Sequence, residues 1–178
     1  MTFGKFLPVA LMVGVIASLW IIIGNYFSVA IWVPFISWAM YYILDPGATR
    51  PRRIPKQVLG LTGGILFGYL TIFSLPYAEA LVGATFGLPL IVFVVATIIV
   101  LLEMTDTLEL APAYFFAYAG YFAYIWSGLG TPRGSLIPFW SLLMAGLLIG
   151  YGTAFFRRKI LEGEGLYGPA QKTIFDKE

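Results

Sequence analysis

The chain has 178 residues, 60% of them hydrophobic and 11% charged, with a mean hydropathy of +0.87. Soluble domains run at about 45–50% apolar and about 25% charged, so an ordinary soluble domain is excluded and a membrane protein is expected. There is no cysteine and no histidine. This excludes disulfides, thiolate sites and the side chain that most often binds metal or haem or carries protons near neutral pH; no metal, cofactor or nucleic-acid partner is expected.

A helix needs about 20 mainly apolar residues to cross a hydrocarbon core about 30 Å thick. The first candidate span is 6–23, which reads as a retained helix because another apolar run follows it at once. Gly24-Asn25 marks a turn, and the second span, 26–44, is rich in aromatic residues. The stretch 46–56 carries Arg50, Arg52, Arg53 and Lys56 among several prolines, and reads as a basic loop. The third span is 57–75, with a loop expected at Pro76 to Glu79 and an ambiguous stretch up to Phe86. The fourth span is 87–102. An acidic loop, 103–109, holds Glu103, Asp106 and Glu109. The fifth span, 110–127, is again aromatic. The sixth, 136–156, is expected to stop at Arg157-Arg158-Lys159, leaving 161–178 as a tail.

These six spans make one transmembrane domain over 1–160. Its orientation follows from the basic residues in short loops. Lys5, Arg50, Arg52, Arg53, Lys56, Arg157, Arg158, Lys159, Lys172 and Lys177 fall on one side, and only Arg133 on the other. Both termini are therefore expected in the cytoplasm. The bias also supports an even number of spans.

One segment occurs twice. Shifting Gly64–Phe73 by 82 positions superimposes it on Gly146–Phe155, matching both glycines, Leu66, Tyr69, Thr71 and Phe73 with identical residues. Val33-Pro34 and Ala111-Pro112 introduce comparable aromatic runs upstream. The expected fold is all-α: six transmembrane helices in a three-plus-three repeat, about 5–80 and 86–158. Three is odd, so the second half enters the membrane from the opposite side. Inverted repeats of this kind recur in transporters, with the solute site near the midplane.

The repeated residues supply the candidate site. Gly60, Gly64 and Gly68, and likewise Gly146 and Gly150, stand four apart on a helix face and allow close backbone approach. Packing of the third helix on the sixth is expected there. Tyr69, Thr71, Tyr151 and Thr153 are candidate groups along a solute path. The threonines can instead bond their own helix backbone. Tyr114, Tyr118 and Tyr121 share one face of the fifth helix, as a lining or as packed bulk. Glu103, Asp106 and Glu109, with Arg52 and Arg53, form a candidate cytoplasmic rim, where acid–base pairing competes with a cation-attracting vestibule. With no phosphate loop, no nucleophile–histidine set and no paired intramembrane acids, an enzyme is not expected.

Ala17-Ser18-Leu19-Trp20 followed by Val33-Pro34-Phe35-Ile36-Ser37-Trp38-Ala39 resembles the N-terminal hairpin of a bacterial inner-membrane family known as domain of unknown function 1097. Ala111-Pro112-Ala113-Tyr114-Phe115 and Leu147-Leu148-Ile149-Gly150-Tyr151 resemble its later spans. The resemblance covers about residues 5–160 and implies a small multi-span protein of the inner membrane. It implies no substrate and no functional residue, and the basic loop and acidic cluster do not match it.

Two functions are consistent with these features. The first is a channel or facilitator for a small uncharged solute, working as a homo-oligomer among membrane lipids. The second is an accessory or scaffold subunit whose aromatic faces pack on partner subunits.

Overall fold

The computed structural model describes residues 3–44 and 53–165. Among these the regular structure is helical: α1 (Phe3–Tyr26), α2 (Val33–Leu44), α3 (Arg53–Val82), α4 (Ala84–Leu101), a single 3-10 turn (Leu102–Met104), α5 (Ala111–Trp126) and α6 (Leu136–Gly163). Four helices are long and apolar enough to cross a membrane, α1, α3, α4 and α6. The chain is therefore an integral membrane protein. The two remaining helices are shorter, 12 residues for α2 and 16 for α5. The basic loop up to Arg52, the side chain of Arg53 and the tail beyond residue 165 lie outside the described residues.

The described residues divide into two compact units, 3–44 with 146–165, and 53–145. In the first, α1 is buried at Val9 and Gly24 but largely exposed along the rest of its length, with Leu11, Val15, Leu19 and Ile22 all more than half accessible. Such a surface is stable only against lipid or another protein. The segment after α1 folds back along it. Val29 N–H donates to the Gly24 carbonyl, and Trp20 Nε1 donates to the Ile31 carbonyl at 2.8 Å. Ser28 supports this reversal with φ of 52°. As a result α2 starts at Val33, not at the expected Tyr26, and Pro34 occupies its first turn, where a missing N–H costs nothing.

The second unit holds α3, α4 and α5. Here a loop expected at Pro76–Glu79 is absent: α3 runs through Pro76 to Val82. A proline removes one intrahelical hydrogen bond, which membrane helices absorb through neighbouring groups more readily than helices in water. The chain reverses at a single residue, Gly83, whose φ of 85° lies in the left-handed region that favours glycine. The hairpin is tight from its first turn, since a Cβ at Gly87 would lie 2.7 Å from Glu79 Cγ. One buried cluster of this unit sets Val95 and Ile99 of α4 against Ala111, Tyr114, Tyr118 and Phe122 of α5, with Phe67 and Ile72 of α3 packed on it.

The helix α6 begins in the second unit and ends in the first. It does not stop at Arg157-Arg158-Lys159 but continues to Gly163. Basic residues end a membrane crossing, yet they are good helix formers. Arg158 pairs with Glu162 one turn on, at 2.8 Å.

Candidate functional site

The repeated Gly-Tyr-x-Thr segments lie on α3 and α6, and in each case the small face is filled by a short aromatic helix. On α3, a Cβ at Gly60 would come within 2.6 Å of Ala113 Cβ. One at Gly64 would lie 2.8 Å from Ala117 Cβ and would collide with the Tyr114 carbonyl. One at Gly68 would meet the Tyr121 ring at 2.8 Å. On α6, Gly146 abuts the Pro34 carbonyl and Ser37 Oγ of α2. A Cβ at Gly150 would sit 2.8 Å from Tyr41 Cβ. The expected partner of these glycines, the other repeated helix, is therefore corrected: α5 occupies the α3 row, and α2 occupies the α6 row. Helical spacing identifies a small face but not what fills it.

The threonines follow the same pattern. Thr71 is fully buried and its hydroxyl donates to the Phe67 carbonyl at 2.8 Å. Its oxygen lies 3.0 Å from Tyr118 Oη, which is left to act as donor. Thr153 is also fully buried; it donates to the Ile149 carbonyl at 2.7 Å and accepts from Trp38 Nε1 at 3.0 Å. Back-bonding of a threonine to its own helix and an aromatic N–H or O–H from the neighbouring helix recur in both units. The residues that meet equivalent α3 and α6 positions correspond in α5 and α2: Tyr114 with Pro34, Ala117 with Ser37, Tyr118 with Trp38, and Tyr121 with Tyr41, each pair 80 positions apart. Trp38 and Ser37 were invisible as site residues in the sequence, because aligning Pro34 with Pro112 offsets this register by two.

Interhelical hydrogen bonds of this type are measured at about 0.6 kcal/mol on average, up to about 1.7. A double-mutant cycle of Thr71→Val with Tyr118→Phe is expected to return a coupling energy in that range, read from reversible unfolding in detergent. The Thr153→Val and Trp38→Phe cycle should give a similar value. A coupling of zero in both would show that these bonds contribute nothing.

The tyrosines of the repeat are placed differently from the threonines. Tyr69 is half-buried and stacks on Phe73 at 6.4 Å. Tyr151 is 43% exposed on the surface of its unit. On α5, Tyr114, Tyr118 and Tyr121 are all buried. Tyr114 lies over Gly63 and Gly64, and Tyr121 packs on Phe139 at 5.7 Å while its hydroxyl donates to the Pro132 carbonyl.

At the candidate rim, Glu109 forms an ion pair with Lys56 at 2.8 Å. This links the start of α3 to the segment leading into α5. Glu103 and Asp106 are exposed. Glu103 borders an apolar groove of about 560 Å³ whose walls include Pro112, Phe115 and Phe116. Sequence reasoning also missed Gln57, which is fully buried, with neither amide atom hydrogen-bonded among the described residues. Its place beside the basic loop made it read as a boundary residue.

No curated protein and no solved structure matches the chain. A family described as "Protein of unknown function (DUF1097)" matches it over residues 10–157. That interval takes in the α2 and α6 contacts in the first unit and the α3 and α5 contacts in the second, and on this match the chain belongs to the DUF1097 family.

Proposed function

We propose that the protein is a channel or facilitator for a small uncharged solute, built as two three-helix halves of inverted topology. The observation that carries this reading is the matched pair of contacts, Thr71 with Tyr118 and Thr153 with Trp38. Each half contributes a long helix with the Gly-Tyr-x-Thr segment, and each of these pairs with the short aromatic helix of the other half. Short apolar helices at corresponding positions of two halves, here α2 and α5, are the feature that marks binding regions in inverted-repeat transporters. The membrane region carries almost no charge, which suits a neutral solute. In this reading six helices cross the inner membrane, both termini are cytoplasmic, the protein is not an enzyme, and it assembles as a homo-oligomer. A second reading, an accessory or scaffold subunit, is favoured by the exposed face of α1, which offers a long apolar surface to partner helices.

The test is flux in proteoliposomes, with urea, acetamide, ammonia and glycerol as solutes. The protein should accelerate entry of at least one of them over empty liposomes. Tyr69→Phe with Tyr151→Phe should slow that entry without changing expression or oligomer size, because a phenol offers a donor and an acceptor that phenylalanine lacks. No acceleration for any solute contradicts the facilitator reading and favours the subunit.

A further inference from the structure

Gln57 lies in the first turns of α3, on the same buried stripe as Leu61, Gly64, Gly68 and Thr71. It is 0% exposed, and both its Oε1 and its Nε2 are buried without a hydrogen-bond partner among the described residues. Buried side-chain amides are almost always satisfied, so this one requires an explanation. The repeat sharpens the point. The 82-position shift that relates Thr71 to Thr153 relates Gln57 to Phe139. Phe139 is equally buried and fills its place with apolar contacts, meeting Tyr121 edge-on and Tyr124 at a tilt, at 5.7 and 5.3 Å. An apolar ring therefore serves in one copy where the other keeps a polar group. Packing alone would have been met by an apolar residue in both.

The position is also near an end of the helix. Lys56, the preceding residue, is held by Glu109, so Gln57 sits just inside the ion pair that joins α3 to the segment before α5. A primary amide offers two donors and one acceptor with two lone pairs. The ligand that satisfies it must both accept and donate, as urea and short primary amides do. A hydroxyl also donates and accepts, but only a planar amide sets an N–H donor beside a carbonyl acceptor for a two-point match with the Gln57 amide.

We propose that Gln57 is the specificity-determining residue of the solute path at the cytoplasmic end, selecting urea and small primary amides. The inference rests on the facilitator reading above. It is tested by urea, acetamide and glycerol flux in proteoliposomes carrying wild type or Gln57→Met, which keeps the length of the side chain and removes its hydrogen bonds. Urea and acetamide flux should fall on the order of tenfold, the loss of about one hydrogen-bonded contact, while glycerol flux and the melting temperature in detergent hold or rise. Equal flux of all solutes through wild type and variant, or an equal loss of all three, overturns the role of Gln57 and leaves the facilitator reading intact. Wild type that carries nothing faster than empty liposomes overturns both. Should Gln57→Met not fold, Gln57→Leu, which is smaller and also lacks hydrogen-bonding groups, carries the same prediction of selective amide loss.

Discussion

Leucine at Gly64 or at Gly146 is expected to abolish the folded protein, whereas leucine at Gly152 leaves it intact. The contrast is geometric. At Gly64 a Cβ alone runs into the Tyr114 carbonyl, and at Gly146 it runs into the Pro34 carbonyl. Both obstacles are backbone, which cannot swing aside as a flexible side chain can. Overpacking typically costs about 1–3 kcal/mol, and more in rigid surroundings. A leucine at either site forces α5 from α3, or α2 from α6, and each such pairing is central to its unit. The Thr71 bond to Tyr118 and the Thr153 bond to Trp38 lie along these same contacts, and separation breaks them too. Gly152 has nothing within 4 Å of a Cβ position, and leucine is a better helix former than glycine by about 0.8 kcal/mol. Monodisperse Gly152→Leu beside aggregated or unfolded Gly64→Leu and Gly146→Leu, read by size exclusion in detergent, is the expected result. Wild-type melting of the Gly64 and Gly146 variants would mean that these faces are not packed.

Much of this architecture is legible in residue patterns, and the gaps have physical causes. Helices α5 and α6 begin at Ala111 and Leu136, at or within one residue of where the apolar runs place them, because Gly, Pro and charge bracket those runs. Pro76 misleads. In water a proline inside a helix marks its end, yet α3 passes through it and the reversal falls to Gly83. The shortness of α2 is not visible either, since residues 27–32 are as apolar as a helix, and only their return along α1 through the Trp20 bond removes them from the span. At the candidate site, glycine spacing reveals the small faces of α3 and α6. Their partners depend on which helix lies across from them, and one-dimensional spacing carries no such information. Likewise Thr71 and Thr153 stand out by repetition, while Trp38, which donates to Thr153, is masked among several aromatic residues of α2.

The proposed function requires two three-helix halves that cross the membrane in opposite senses, and so six crossings even though α2 and α5 are short. Each loop then has an assigned side, and labelling there is close to all-or-none. Thr107 lies between α4 and α5, and Thr131 between α5 and α6; Gly47 and Gly168 lie outside the described residues, in the stretches 46–56 and 161–178 of the sequence. The chain has no native cysteine, so single substitutions report without background. An impermeant thiol reagent added to intact cells should label Thr131→Cys and spare Gly47→Cys, Thr107→Cys and Gly168→Cys until the membrane is permeabilised. Labelling of Thr107→Cys or Gly47→Cys in intact cells would place those loops outside and contradict the inverted three-plus-three arrangement.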